Sequence, residues 1–219
     1  MGDITAVGPG VCIVRVTSVN NPSVYAEVTV TVLDETPSAP AANVEVINGV
    51  TYVQGILIVN KTYALPADYD PGVNPEAKAA FDRMQVAASA EMMSLSIVSG
   101  YRSYATQEAT YNRHVVASGQ EKADTFSARP GHSEHQTGLA FDINYAGDSF
   151  GSTPEAAWLA ANCWKYGFII RYPQGKSDIT GYKYEPWHIR YLGEENAKKV
   201  YDSGLTLEEY LGITSQYAE

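Results

Sequence analysis

Positive charge is scarce in this chain: 15 Lys and Arg stand against 25 Asp and Glu, for a formal net charge of −10. Binding a phosphate backbone takes clustered cations, so this balance argues against nucleic acid as a partner. Long apolar runs are missing as well. No segment reaches the roughly 18 uninterrupted apolar residues of a membrane span, so no transmembrane segment is expected. Met1-Gly2-Asp3 opens without the basic stretch and apolar run of an export signal. The sequence therefore reads either as a cytoplasmic protein or as a piece of a longer exported chain. Cysteine is limited to Cys12 and Cys163, far apart in sequence, and both read as small buried apolar residues rather than a disulfide. Histidine occurs only four times, which makes the surroundings of each informative.

What is present divides into two regions. Val11 to Thr17 and Val24 to Val32 alternate like strands around a turn at Asn20-Asn21-Pro22. Together with Ile4 to Gly10, this stretch resembles the last half of a bacterial immunoglobulin-like repeat, as found in surface-attached proteins. The resemblance covers residues 3 to 33 and implies an extracellular chain that is longer at its N-terminus. Pro37 and Pro40, with Ser and Ala between them, mark an extended linker over residues 34–42. The expected organisation is thus a partial immunoglobulin-like repeat at 1–33, a linker at 34–42 and a second domain at 43–219.

The second domain should open with a hairpin, Val44 to Ile47 and Val50 to Val53, around the Asn48-Gly49 dipeptide that two-residue turns prefer. Asn74-Pro75-Glu76 supplies a helix start, and Ala79, Ala80, Met84, Ala87, Ala88 and Met92 continue at helical spacing. Leu95 to Val98 reads as a short strand. Further helices are expected at about Tyr104 to Val116, Pro154 to Tyr166 and Glu194 to Asp202, capped by Ser103, Thr153 and, at the end of the last, Gly204. Strands are expected at Phe168 to Arg171 and Trp187 to Tyr191. Helices early and strands grouped late predict an α+β fold, a small antiparallel sheet flanked by helices, beside a short all-β N-terminal remnant.

Two histidine neighbourhoods carry chemistry. In Gly131 to Ile143 a polar, glycine-bounded stretch turns into a strand with Leu139, Phe141 and Ile143 on one face, which leaves Asp142 on the other. A turn at Thr137-Gly138 can fold His135 back towards it. In Glu185 to Tyr191, Trp187, Ile189 and Tyr191 alternate with His188 and Arg190, so the latter two share a face. Two imidazoles and a carboxylate suit zinc and leave a fourth tetrahedral position for water, as in catalytic sites. Glu185 is the candidate base for that water. On a regular strand residues three apart face opposite ways, so Glu185 and His188 converge only if the chain bends, and Pro186 can bend it. Arg102, where Ser99-Gly100-Tyr101-Arg102-Ser103 passes from strand to helix, can hold a carboxylate or an oxyanion. Taken singly, each of these residues reads as an ordinary satisfied polar group. His114 reads as a surface residue, and Trp187 and Tyr191 as core.

Taken together, the SGYRS stretch, Arg129 to Ile143 and Glu185-Pro186-Trp187-His188-Ile189-Arg190-Tyr191 closely resemble the VanY-type zinc D,D-carboxypeptidases from about Ile56 to Leu192. The resemblance implies Zn²⁺ on His135, Asp142 and His188, on the sheet, with Glu185 and Arg102 catalytic. It further implies that Arg102, Gln107, Ser133 and Tyr182 bind the substrate's terminal carboxylate or scissile carbonyl. His132 fills a variable position and receives no role. The implied activity is removal of the terminal D-Ala from peptidoglycan stem peptides by a monomeric extracellular, cell-wall-associated enzyme. An L,D-carboxypeptidase acting on tetrapeptide stems needs the same site, and a wall-binding module that keeps zinc without catalysis is the alternative from another class. Retention of Glu185 argues against the latter, because structural zinc needs no base.

Overall fold

The computed structural model describes residues 10–32 and 43–218. The chain divides into two compact units, 1–40 and 41–219. Ile4 to Pro9 of the immunoglobulin-like reading and the linker at 34–42 lie outside the described residues.

In the first unit β1 (Gly10–Thr17) and β2 (Tyr25–Val32) form an antiparallel hairpin in which Cys12 opposes Val30, Val14 opposes Val28 and Val16 opposes Ala26. Strand alternation puts these six on one face, while Arg15, paired with Glu27 and stacked on Tyr25, lies on the other. Cys12, expected to be buried, is exposed, because no second layer covers the apolar face among the described residues.

The second unit opens with the expected hairpin, β3 (Val44–Ile47) and β4 (Val50–Val53), extended by β5 (Ile56–Leu57). Helix α1 (Pro75–Ala90) begins where Asn74 accepts a hydrogen bond from the Ala77 N–H. It ends before Met92, which was expected to continue the apolar stripe. Met93 N–H donates to the Ala88 carbonyl and Met92 N–H to that of Ser89, a closing turn that puts Met92 at positive φ in solvent. Then follow β6 (Ile97–Ser99), α2 (Tyr104–Ser118), the short α3 (Gln120–Ala123), a 3₁₀ turn (Glu134–Thr137) and β7 (Ala140–Ile143). Helix α4 (Pro154–Asn162) is shorter than expected, its continuation Cys163–Tyr166 being 3₁₀. The chain closes with β8 (Phe168–Tyr172), α5 (Ser177–Thr180), β9 (Glu185–Tyr191), α6 (Glu194–Ser203) and α7 (Leu207–Leu211).

These segments form an α+β fold around a four-stranded antiparallel sheet in the order β6-β7-β9-β8. One sheet face, with Phe141, Ile143, Phe168, Trp187 and Ile189, packs on Ala77, Ala80, Phe81, Met84 and Ala88 of α1 and on Trp158 and Leu159 of α4. Cys163 is buried in this core, as expected. Period-two alternation sends Asp142, His188, Arg190 and Arg171 to the opposite face, and all four are nonetheless buried.

Candidate active site

The two central strands place the site. In the β7-β9 ladder Asp142 lies directly opposite His188. His135 arrives from the 3₁₀ turn, which ends at Gly138 with φ 70°. A Cβ on Gly138 would lie 2.0 Å from the carbonyl oxygen of Gly72, so only glycine allows the chain to reverse there. The result brings His135 Nε2 to 3.2 Å from one Asp142 oxygen and His188 Nδ1 to 3.1 Å from the other. One ligand atom from each of the three residues can be chosen so that all lie within 4.8 Å of one another.

This donor set fits zinc. Two imidazole nitrogens and one carboxylate oxygen are donors that a tetrahedral zinc takes, with the fourth position left open. The second nitrogen of each histidine is committed elsewhere. His135 Nδ1 donates to the Gly100 carbonyl at 2.7 Å, which leaves Nε2 with its lone pair facing Asp142. Electrostatics agree. Burial would raise the Asp142 pKa, yet His135 and His188 hold it well below the usual carboxylate range. Burial would lower that of His188, yet hydrogen bonds to Asp142 and Glu134 raise it to about 9. The pocket favours positive charge among its carboxylates.

Glu185 and His188 do converge. The β8-β9 register shifts between Ile170 and Tyr172, and past this irregularity Tyr172 pairs with Glu185. Glu185 Oε2 thereby reaches 3.8 Å from His188 Nδ1. Burial pushes its pKa up to about 7, His188 acting in the opposite direction.

Arg102 follows β6, and its N–H donates to the His135 carbonyl at 3.1 Å, so the Gly100–Arg102 segment grips the His135 residue twice. Its guanidinium donates to Gln107 Oε1 and to Ser99 Oγ, both at 2.9 Å. Gln107 Nε2 in turn donates to the Ala128 carbonyl. Gln107 therefore braces Arg102 from within the protein as well as bordering the cavity. That cavity, of about 290 Å³, is lined by Arg102, Gln107, Ser133, Tyr182, Glu185 and the His135, Asp142 and His188 cluster.

The other two histidines differ. His114, expected at the surface, is half-buried on the cavity wall, edge-on to Phe126. His132 lies outside the cluster. Its Nδ1 meets the Asn60 carbonyl at 2.8 Å and its ring packs edge-on against Tyr217. Two wall residues went unnoticed in the sequence: Tyr172, whose ring lies 5.0 Å from that of His188, and Glu134, 3.2 Å from His188 Nε2. Glu134 sits in a polar run that reads as loop, and Tyr172 lies one residue beyond the strand expected at Phe168 to Arg171.

Two imidazoles, a carboxylate, a nearby carboxyl whose pKa is pushed towards neutrality and a braced arginine are thus grouped at one cavity, the donor types that metal-assisted chemistry uses. The D-alanyl-D-alanine carboxypeptidase family, VanY, matches residues 70–194, more than half of the chain, and the chain belongs to this family. YodJ of Bacillus subtilis (strain 168) is 44% identical over 180 residues, covering 71% of this chain and 66% of that protein. The D-alanyl-D-alanine carboxypeptidase of Enterococcus faecalis (strain ATCC 700802 / V583) is 39% identical over 178 residues, covering 71% and 65%. The chain thus spans just under two thirds of the length of these two relatives. Among solved structures, the LdcB LD-carboxypeptidase superposes with a TM-score of 0.74 at 44% identity, covering 80% of this chain and 98% of that one. The vancomycin-resistance D,D-pentapeptidase VanY in complex with Zn(II) superposes with a TM-score of 0.63 at 37% identity, covering 70% and 97%.

Proposed function

We propose that this chain is a zinc-dependent carboxypeptidase that removes the terminal D-amino acid from peptidoglycan stem peptides. The observation that carries this reading is the His135, Asp142 and His188 cluster sharing one cavity with Glu185 and Arg102. His135, Asp142 and His188 would hold the metal, which when bound supplies a Lewis acid that makes water more acidic and polarises a carbonyl. Glu185 takes a proton from the attacking water and returns it to the departing amine, a task suited to a carboxyl whose pKa lies near neutrality. Arg102 meets the free terminal carboxylate of the peptide, with Ser133, Tyr182 and the remaining N–H of Gln107 as neutral donors beside it.

Family membership supports a peptide ending in D-alanine. A second reading, cleavage of the L,D bond of tetrapeptide stems, is favoured by the 44% identity to a structure described as an LD-carboxypeptidase. Either substrate belongs to the cell wall, so we infer an extracellular site of action, a reading supported by the resemblance of residues 3 to 33 to part of an immunoglobulin-like repeat. Among the described residues no helix is long and apolar enough to cross a membrane. The expected form is a monomer. Turnover of pentapeptide and tetrapeptide stems, each as free acid and as C-terminal amide, tests this function. D-alanine release from at least one free acid and little from its amide is the expected result. Equal cleavage of acid and amide, or no zinc-dependent release from either peptide, overturns it.

A further inference from the structure

Behind the candidate ligands lies a buried ionic network that the proposed mechanism does not use. Glu134 Oε1 accepts from Arg171 Nε at 2.7 Å and from Arg190 Nη1 at 2.8 Å. Arg171 also forks onto Glu208 of α7, at 2.8 and 2.5 Å. Asn60 donates to Glu208 at 3.1 Å, and Arg190 reaches the Leu57 carbonyl at 2.6 Å. None of the four charged residues is more than 2% exposed, and two cations balance two anions. The remaining oxygen of Glu134 lies 3.2 Å from His188 Nε2.

We propose that Glu134 is a positioning residue for the metal centre: it holds the His188 ring with Nε2 as donor, so that Nδ1 presents its lone pair beside Asp142. The inference rests on the reading that His135, Asp142 and His188 bind zinc. A neutral imidazole has one donor nitrogen and one acceptor nitrogen, and a carboxylate can only accept. With the guanidinium groups of Arg171 and Arg190 both donating to its other oxygen, Glu134 faces His188 as a carboxylate acceptor. Nε2 must then carry the hydrogen, and the ligating nitrogen is the one already 3.1 Å from Asp142. Glu208 extends the support to the end of the chain, since it fixes the Arg171 that fixes Glu134. Stability alone gives little reason for such a network, because apolar residues of similar volume often serve as well as buried ion pairs or better. Carboxylate partners behind ligating histidines, by contrast, raise ligand basicity and lock the ring.

The test compares wild type with Glu134→Gln and Glu208→Gln as full chains, reading zinc affinity by chelator competition and the visible spectrum after cobalt substitution. Glu134→Gln should bind zinc about 10- to 100-fold more weakly, with altered cobalt bands, the usual scale for such partners. Its kcat should fall while KM for the peptide holds, because Arg102 is untouched. Glu208→Gln should shift zinc affinity in the same direction by less. A folded Glu134→Gln with wild-type zinc affinity and cobalt spectrum overturns the proposal, even if its melting temperature drops. If Glu134→Gln does not fold, Glu134→Asp keeps the charge but retracts it by one methylene, and wild-type affinity there overturns the proposal equally. Metal readouts need no peptide turnover, so a chain that binds zinc as predicted but cleaves neither stem peptide refutes the proposed function and leaves this inference standing. A wild type that takes up no zinc sinks both.

Discussion

The two faces of the central sheet solve the same burial problem in opposite ways. One face presents Phe141, Phe168, Trp187 and Ile189 to α1 and α4, and its cohesion is non-directional apolar contact. The other carries Asp142, His188, Arg171 and Arg190, equally buried, and coheres only because each charge meets a partner at hydrogen-bond distance. The apolar face tolerates conservative exchange of shape. The polar face does not, because removing one partner leaves another charge buried and uncompensated. Stability is thus concentrated on one side of four strands and chemical specificity on the other.

The most forceful way to break this division is to remove function without touching the fold. Glu185→Gln keeps the shape and the three candidate ligands, so zinc content and melting temperature should stay near wild type. Turnover should drop about 10²- to 10⁴-fold, the usual contribution of a positioned general base. Metal analysis together with steady-state kinetics checks it, and loss of zinc in parallel with activity would make Glu185 a ligand instead. The converse variant acts on the apolar face. Phe141→Ala, emptying a fully buried position, should cost about 3–5 kcal/mol in denaturant unfolding. At temperatures where it remains folded, its zinc affinity should stay close to wild type, since Phe141 points away from the cluster.

Smaller effects sharpen the comparison. Arg102→Lys retains charge but loses the planar fork that Gln107 and Ser99 brace. Its kcat/KM should fall at least tenfold, about 1.4 kcal/mol, and its preference for free acid over C-terminal amide should narrow. The mildest perturbation is acid. Glu134 has a folded pKa depressed below its ordinary value of 4.5, so its stabilising contribution is complete above that value and drains away as pH falls towards the folded pKa. Between about pH 5 and pH 3 the metal-free wild type should lose stability more steeply than Glu134→Gln, by at most about 1.4 kcal/mol per pH unit for this one group. Parallel slopes would show that Glu134 does not titrate differently on unfolding.

Local elements were largely legible in the sequence. The Asn48-Gly49 hairpin, the Asn74 and Ser103 caps and the alternation around Asp142 and His188 are short-range signals written in adjacent residues. Less legible were endings set by backbone closure. Met92 leaves α1 and Cys163 starts a 3₁₀ turn, because local hydrogen-bond geometry overrode apolar spacing. The reach of Glu185 towards His188 depended on where β8 and β9 slip in register, a property of two strands that neither segment states alone.

The sequence by itself determined which chemical groups were available and which face of each strand would carry them: His188 with Arg190, and Asp142 away from Phe141. That follows from period-two geometry, which needs no knowledge of neighbours. Only the tertiary structure decided that Glu134, Arg171, Arg190 and Glu208 would meet behind His188. A 3₁₀ turn, two strands and a terminal helix, separated by up to 74 positions between Glu134 and Glu208, supply them. Nothing in the sequence pairs them, because a charge reveals its partner only when folding removes the water that would otherwise satisfy it.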